Sequence, residues 1–513
     1  MSNSNTANTT FTTATSGTAT TSGAFATAAH TTHSTTSTSS TDVISTLLAN
    51  AFYSELLKTE DFMAFESFVA CDIRVLGARA LVKCLESFDE DIYKNIPRKW
   101  SVHEHAPRTL VTLLGVITFT RTIFLDEYGR HRALLDELLG IPPRSRISSC
   151  AFVWIAECAS ELSYRKTARK FEDVSGAYIS HITVKNIVHK EGKLLVASGA
   201  EYARAGSQKI SQDKLFVETD GLWVHTQVES HRREALPRFL YEQARKTQSF
   251  ELKIAALYAG KLKVAPGRFK RGGLCLTCLD DTPDSFWNRV WNMLCENYEQ
   301  DDVERIDVGG DGAVWCNADR LDTKVGKDCK VSFTLDLFHI MEKIVRAFPD
   351  EESSKRMWAI NLLMRGRAKK LCEMCKRIEK KMTSGKAKRK VQDLLKYISE
   401  HVYDIKAPTH SMGTMEGTNA HVGAARLKGH GRSWSRAGAC AMCLIRCALL
   451  TGRKLVAPIA SSWFSKRELK AKEDAMPQTA TDIPSKVGHG QEMPIQSVKL
   501  PKGVEIALAR ARC

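Results

Sequence analysis

No stretch of these 513 residues approaches the ~18 consecutive apolar positions that a helical membrane span requires. The N-terminus lacks a basic segment followed by an apolar one, so a secretory signal is not expected. Residues 1–41 contain no Lys or Arg, which argues against an organelle transit peptide, and a cytoplasmic protein is the expectation. That same stretch is more than half Ser and Thr, with almost no large apolar residue. It cannot offset its ordering entropy and reads as a disordered leader. Histidine is missing where zinc would want it. Three cysteine pairs have CxxC spacing, Cys275/Cys278, Cys372/Cys375 and Cys440/Cys443, but none has a histidine at finger-like distance. The last two pairs fall in helix-patterned runs, where i and i+3 merely share a face. In a reducing compartment the fifteen cysteines therefore read as small core thiols.

What the chain does have is positive charge. Lys plus Arg number 74 against 58 Asp plus Glu, a net charge of +16 with a pI near 9.1. An excess of that size favours a polyanionic partner. Residues 352–400 hold fifteen Lys or Arg and five acids, so +10 of the +16 lies in one helical stretch. A one-signed bias of that kind suits a surface that tracks phosphates. The length accommodates about two to four domains with a substantial core.

Apolar periodicity divides the rest. Residues 42–146 read as a helical region with a small β element. Ile44, Leu47, Leu48 and Phe52 mark one helix, and Leu76, Ala80, Leu81 and Leu85 a second. Arg108 to Leu125 alternates, placing Ile117, Phe119, Ile123 and Leu125 on one face and Thr118, Thr120 and Thr122 on the other, with Arg121 unexplained on the apolar side. Pro142-Pro143 marks a boundary, and residues 147–205 read as helix, helix, short turn, helix. Ser180 caps the third helix and Gly192 marks its expected end. This is a helix-turn-helix pattern. Its outward candidates for double-stranded DNA are His181, Thr183, Lys185, Asn186, His189 and Lys190, with Arg165 and Lys166 on the preceding helix.

In residues 206–455, Lys214–Thr226 reads as a strand interrupted at Asp220-Gly221. Glu251–Lys263 and Gly273–Leu279 read as two more strands, Asp284–Tyr298 as a helix, and Val303–Val308 as a strand ending in Gly309-Gly310-Asp311. Lys330–Leu335 is a further strand, which turns at Asp336 into a helix through His339. That order of elements is the order of a ribonuclease-H-like α/β core, with a helical insertion at about 345–405. Glu416 then opens a helix with Asn419 on it, Ser433–Leu450 is an apolar helix, and 456–513 reads as a loose tail. Acids at the carboxyl ends of strands stand where α/β folds place chemistry. Phosphodiester cleavage and transfer ask for two divalent cations about 3.5–4 Å apart, held by a few carboxylates from distant chain positions. Asp220, Asp311 and Glu416 meet that description.

Around these acids the sequence resembles a known group. TDG at Asp220, GGDGAVW at Asp311, DLFH from Asp336 to His339 and MEGTNAHV at Glu416 look like the DDE transposases of the Mutator-like group. They are most similar to the ISLre class of bacterial insertion-sequence transposases, long filed as an uncharacterised protein family. SYRKTARKF, LDELLGI and RSWSRAGACAMC add to the likeness, which spans roughly Arg108 to Leu450. The resemblance implies that Asp220, Asp311 and Glu416 ligate two Mg²⁺ or Mn²⁺ ions, with Asp336, His339 and Asn419 beside them and His339 contacting the scissile phosphate or orienting a nucleophile. The activity implied is strand cleavage at element ends and transfer of the freed 3′-hydroxyl into target DNA, by a homo-oligomer on DNA and without a membrane. The rival readings are a non-catalytic DNA-binding protein and a nuclease that only hydrolyses.

Overall fold

The pattern of apolar residues is realised as a mixed α/β protein. The structure is a computed structural model, and it describes residues 40–199, 208–227, 237, 249–266, 268–383, 385–407, 412–429 and 431–458. The expected leader up to residue 39 and the tail from residue 459 lie outside the described residues. Two compact units, Met1–Cys71 and Asp72–Cys513, divide within a long helix. The first contains α1 (Ser40–Leu56) and the start of α2 (Phe62–Lys94), where Phe52 and Phe68 meet edge to face with ring centroids 6.2 Å apart.

The second unit begins with the rest of α2 and a hairpin of β1 (Ser101–Thr112) and β2 (Gly115–Leu125), followed by the short β3 (His131–Arg132) and α3 (Leu134–Leu138). Ile92, Leu110, Ile117, Phe119, Phe124 and Leu135 form its core. The expected face of β2 holds only to Phe119. Beyond Arg121 the buried positions become Thr122 and Phe124, opposite an irregularity in β1 between Val102 and Glu104. Thr122 is buried because Asp89 of α2 accepts from its N–H at 2.8 Å and from its hydroxyl at 2.6 Å. Arg121 is explained by an ion pair with Asp136 of α3.

Three helices follow: α4 (Ser149–Glu161), α5 (Tyr164–Ser175) and α6 (His181–Ala197), each N-capped by a serine, Ser148, Ser163 or Ser180. Gly192 does not end α6. A Cβ there would lie 2.5 Å from the Cβ of Ala441, so the glycine lets α6 cross the last helix at close range.

The main sheet has five strands in the order β10-β9-β4-β5-β8. They are β4 (Lys214–His225), β5 (Ser249–Tyr258), β8 (Cys275–Leu279), β9 (Arg305–Gly310) and β10 (Lys330–Leu335). β4, β9 and β10 run parallel; β5 is antiparallel to β4, and β8 is antiparallel to β5. The expected single strand from Glu251 to Lys263 is two. Its second half, β6 (Gly260–Ala265), leaves the sheet to pair with β7 (Arg268–Gly272). β4 runs unbroken through Asp220-Gly221, because Gly221 leaves room for Glu251, whose carboxylate would come within 2.0 Å of a Cβ.

Both faces of the sheet are covered, as expected of parallel strands. Leu215, Val217, Ala255, Leu257 and Cys275 meet α7 (Pro283–Asn297) through Phe286, Trp287 and Val290. Leu222, Val224, Ile254, Ala256 and Cys278 face the other core, with α4–α6 and the final helix. Cys275 and Cys278 thus enter opposite cores, as strand period requires. α8 (Leu337–Ala347), α9 (Ser353–Met364), α10 (Ala368–Lys381) and α11 (Gly385–Glu400) follow β10 around a core of their own. α12 (Met415–Asn419) continues through a π-helical turn, Ala420–Ala424, to Leu427, and α13 (Arg436–Leu450) closes the fold. Among the described residues no helix is long and apolar enough to cross a membrane.

Glu191 of α6 is fully buried and accepts from the N–H of Val456 at 2.8 Å, its other oxygen unpartnered. Burial pushes its carboxyl up to about 7, against the Val456 bond and with help from Glu157. A carboxyl protonated to higher pH in the folded chain stabilises the fold at low pH. That stability is lost as pH rises from the ordinary carboxylate range through about 7. Glu191→Gln should therefore raise the melting temperature over the parent at pH 8 and change it little at pH 5. Parallel melting profiles for the two proteins across that range would contradict this.

Candidate functional site

Strand geometry dictates where the acids go. Leu215 and Val217 of β4 enter the core beneath α7, so Glu218, Asp220, Leu222 and Val224 face the opposite way. Glu218 stands opposite Gly309 in the β4–β9 pair, and Leu335 opposite Gly310 in the β9–β10 pair. Two residues beyond the first register come Asp220 and Asp311, and one beyond the second comes Asp336. The three acids thus lie level with the carboxyl ends of β9 and β10, Asp220 just past the last β4–β9 pair while β4 itself continues to His225. Asp336 caps α8 by accepting from the N–H of Phe338 at 3.0 Å, and its own N–H donates to the carbonyl of Gly310 at 2.7 Å. One turn into α8, His339 Nε2 lies 3.9 Å from Asp220 Oδ1.

Glu416 arrives on α12, and β4 fixes that helix at two points. Ahead of it, the buried Glu218 carboxylate accepts from the N–H groups of Gly413 and Thr414, at 2.9 and 2.8 Å, and from the Thr414 hydroxyl at 2.6 Å. The Tyr258 hydroxyl donates to Glu218 from β5. At the far end of α12, the Asn419 amide donates to Asp220 Oδ2, while Asn419 Oδ1 is buried without a partner. Behind Asn419 the π-helical turn frees carbonyls that α13 satisfies, since Arg446 Nε donates to His421 and Val422 at 2.9 and 3.1 Å. The Asp311 loop is held from the helical insertion, where the Tyr397 hydroxyl donates to the Asp311 carbonyl at 2.6 Å.

The sequence candidates Asp220, Asp311, Glu416, His339, Asp336 and Asn419 thus share one neighbourhood. Burial pushes the Asp220 carboxyl up to about 6; the Gly221 N–H and His339 oppose the shift, and Asp311 and Glu416 add to it. Asp336 is raised by burial too, with Asp311 and Glu218 contributing. Among the described residues no three His, Cys, Asp or Glu side chains lie close enough to ligate one ion. The acids form an electrostatic group, and one Asp311 oxygen is committed to the Ala313 N–H at 2.9 Å. The donors nevertheless fit a hard divalent cation. They are carboxylate oxygens with an unpartnered amide oxygen beside them, and a cation would supply the neutralisation that Asp220 otherwise takes from a proton.

Two further acids of this neighbourhood were not among the sequence candidates. Glu218 was legible as the same-face neighbour of Asp220, two positions back. Glu251 comes near only through the β4–β5 register, and its carboxyl is raised by burial, with Asp311 contributing.

The outward candidates of α4–α6 divide. His181, Lys185, Asn186 and Lys190 are exposed on α6, as are Arg165 and Lys166 on α5. Arg169 and Lys170 extend the α5 stripe. Thr183 and His189 are half-buried and do not belong to the outward face. Thr183 caps back to Ser180, and His189 lies against Gly438 of α13. Burial, together with Lys185 and Lys193, lowers the His189 pKa.

Glu218→Gln leaves an amide where four donors converge, and should cost about 2–3 kcal/mol in chemical denaturation. Thr414→Ala, which removes one of those donors, should cost about 1 kcal/mol. Equal, negligible losses in both would show that the clamp does not hold α12.

Residues 58–459 match the model of the Uncharacterised protein family (UPF0236), and the chain belongs to that family. A UPF0236 protein of Caldanaerobacter subterraneus subsp. tengcongensis is 26% identical over 408 residues, covering 77% of this chain and 79% of that one. A second from that organism, whose name joins eleven locus designations, is 27% identical over 407 residues, with the same coverage. A relative from Streptococcus gallolyticus, named for the vanSb 3′ region, is 22% identical and covers 78% of this chain and 85% of its own. Among solved structures, the Drosophila P element transposase strand transfer complex is similar over 67% of this chain and 91% of that one, at 10% identity and a TM-score of 0.24.

Proposed function

We propose that this UPF0236 protein is a DNA transposase of the DDE type, with Asp220, Asp311 and Glu416 as its metal-binding acids on a ribonuclease-H-like core. The observation that carries the reading is the convergence of those residues. Acids 91 and 105 positions apart, each from a different element, sense one another where the β4–β9 pairing ends, with His339 3.9 Å from the first. Strand order supports the core assignment, since an antiparallel β8-β5-β4 half continues into the parallel β4-β9-β10 half.

Divalent cations, Mg²⁺ or Mn²⁺ and two in number, would supply charge neutralisation at the attacking and leaving oxygens of a phosphodiester. The protein's own groups do the placing. Asp220, Asp311 and Glu416 would hold the ions, Asn419 orients the Asp220 carboxylate, and Glu218 fixes the start of the Glu416 helix. His339 stands where it can donate to a phosphate oxygen or orient the attacking hydroxyl. Asp336 keeps α8, and so His339, in position through its cap.

DNA would be held on two basic surfaces. Arg165, Lys166, Arg169 and Lys170 on α5 with Lys185, Asn186 and Lys190 on α6 form the candidate reader of element ends. The basic helices α9–α11 follow the acid row in sequence and would track the backbone. A relative whose name joins eleven loci of one organism fits a gene carried by an element that spreads.

The test uses a supercoiled plasmid carrying the DNA that flanks the gene, with Mg²⁺ or Mn²⁺. The parent should nick at defined ends and join them to a second duplex. Asp220→Ala, Asp311→Ala and Glu416→Ala should each lower cleavage by about a hundredfold or more while DNA affinity is retained. A parent that binds but never cuts would instead mark a DNA-binding protein, and one that cuts but never joins, a hydrolytic nuclease.

A further inference from the structure

Away from the acid row, a cavity of about 590 Å³ opens beside the β1–β2 hairpin. Five arginines line it, Arg108, Arg121, Arg130, Arg132 and Arg144, against two acids, Asp136 and Glu137. The acids are spent on ion pairs. Glu137 takes Arg132, with Arg132 Nε at 2.7 Å, and Asp136 takes Arg121 and lies 3.9 Å from Arg108 Nε. Asp126, which does not line the cavity, takes Arg130 at 2.8 Å and lies 3.8 Å from Arg132, and the five guanidiniums still outnumber these three acids. The Nε atoms of Arg108 and Arg121 are buried without an acceptor and Asp136 Oδ1 beside them without a donor, so the donors outnumber the one open acceptor, an arrangement that costs stability unless something supplies more. Burial lowers the pKa of both guanidiniums, and in Arg121 the neighbouring Arg108 adds to the effect.

A second observation points the same way. Arg144 is the one non-glycine among the described residues with a left-handed backbone, φ 59°, a conformation that strains an ordinary side chain. It is exposed at the rim and pairs with no acid among the described residues. A purely structural ion-pair network has no use for a strained, unpaired fifth arginine. The cavity volume falls in the range of small-ligand sites, and convergent guanidinium forks match the oxygens of a phosphate.

We propose that this cavity is a phosphate-binding site, taking a phosphate carried on a DNA strand or on a free phosphorylated molecule. The site is separate from the acid row and stands whether or not the protein is a transposase.

The full chain is titrated with inorganic phosphate at constant ionic strength, chloride being replaced, and followed by calorimetry and thermal melting. The parent should show saturable binding. Arg144→Gly relieves the left-handed strain, so it should melt no lower than the parent in chloride yet bind phosphate about tenfold more weakly. Arg144→Ala should lose the same binding without that relief. In a second arm, inorganic phosphate competing with a duplex oligonucleotide, and a duplex affinity that falls in Arg144→Gly, would identify a DNA strand as the source. Unchanged duplex affinity alongside saturable phosphate binding would identify a free phosphorylated molecule. Phosphate binding that does not saturate, or that survives equally in both Arg144 variants, would overturn the proposal and leave a structural ion-pair network.

Discussion

Like charges brought out of water onto one sheet edge repel, and that repulsion governs the centre of this protein. Asp220, Asp311 and Asp336 are carried there by the register of three parallel strands, and Glu416 comes to them from a helix. Burial and the neighbouring acids keep Asp220 protonated to higher pH than an isolated aspartate. A fold selected for stability alone would pair or disperse such groups. Asp307, on the same strand as the approach to Asp311, shows the contrast. Burial would raise its pKa, but Lys214, Arg305 and Ser332 bond its carboxylate and hold it below the usual range. Among the described residues, Asp220, Asp311, Asp336 and Glu416 have no such ion-pair partner beyond a single histidine.

Holding such a group in place takes a scaffold on several sides. Glu218 and Asn419 fasten α12 to β4 from its two ends, and Tyr397 reaches the Asp311 backbone from the helical insertion. Arg446 of α13 satisfies the carbonyls that the π-helical turn exposes and also donates to the carbonyl of Ser160 at 2.7 Å. Arg426, just past the turn, donates to the carbonyls of Ala159 and Leu162 at the end of α4. The helix bearing Glu416 is thereby joined by buried guanidiniums to the three-helix region that carries the candidate DNA-reading face.

Much of this was legible in the sequence, and the failures are physical. Periodicity located the strands and helices, acids at strand ends located Asp311 and Asp336, and Asp220 stood out within its own strand, before any register was known. Period two also places Glu218 on the face of Asp220, yet nothing local says that it will clamp a loop about two hundred residues away. Gly221 looks like a turn in sequence and is a strand residue, because the reason for the glycine is Glu251 on a neighbouring strand. Gly192 misleads in the same way, its neighbour being Ala441. In β2 the alternation switches face after Arg121 because a partner-strand irregularity and the Asp89 carboxylate decide burial there. Arg121 itself is accounted for only once α3 folds Asp136 against it.

The most direct measurement of the central claim is Mn²⁺ binding by the full chain, followed by paramagnetic resonance of the free ion, in the parent and in Asp311→Asn and Glu416→Gln. The account predicts saturable Mn²⁺ binding in the parent, weakened about tenfold or more in each variant. Without metal, each variant should melt at or above the parent temperature, because one repelling charge is gone. Equal Mn²⁺ affinity in all three proteins, or none in the parent, would contradict it.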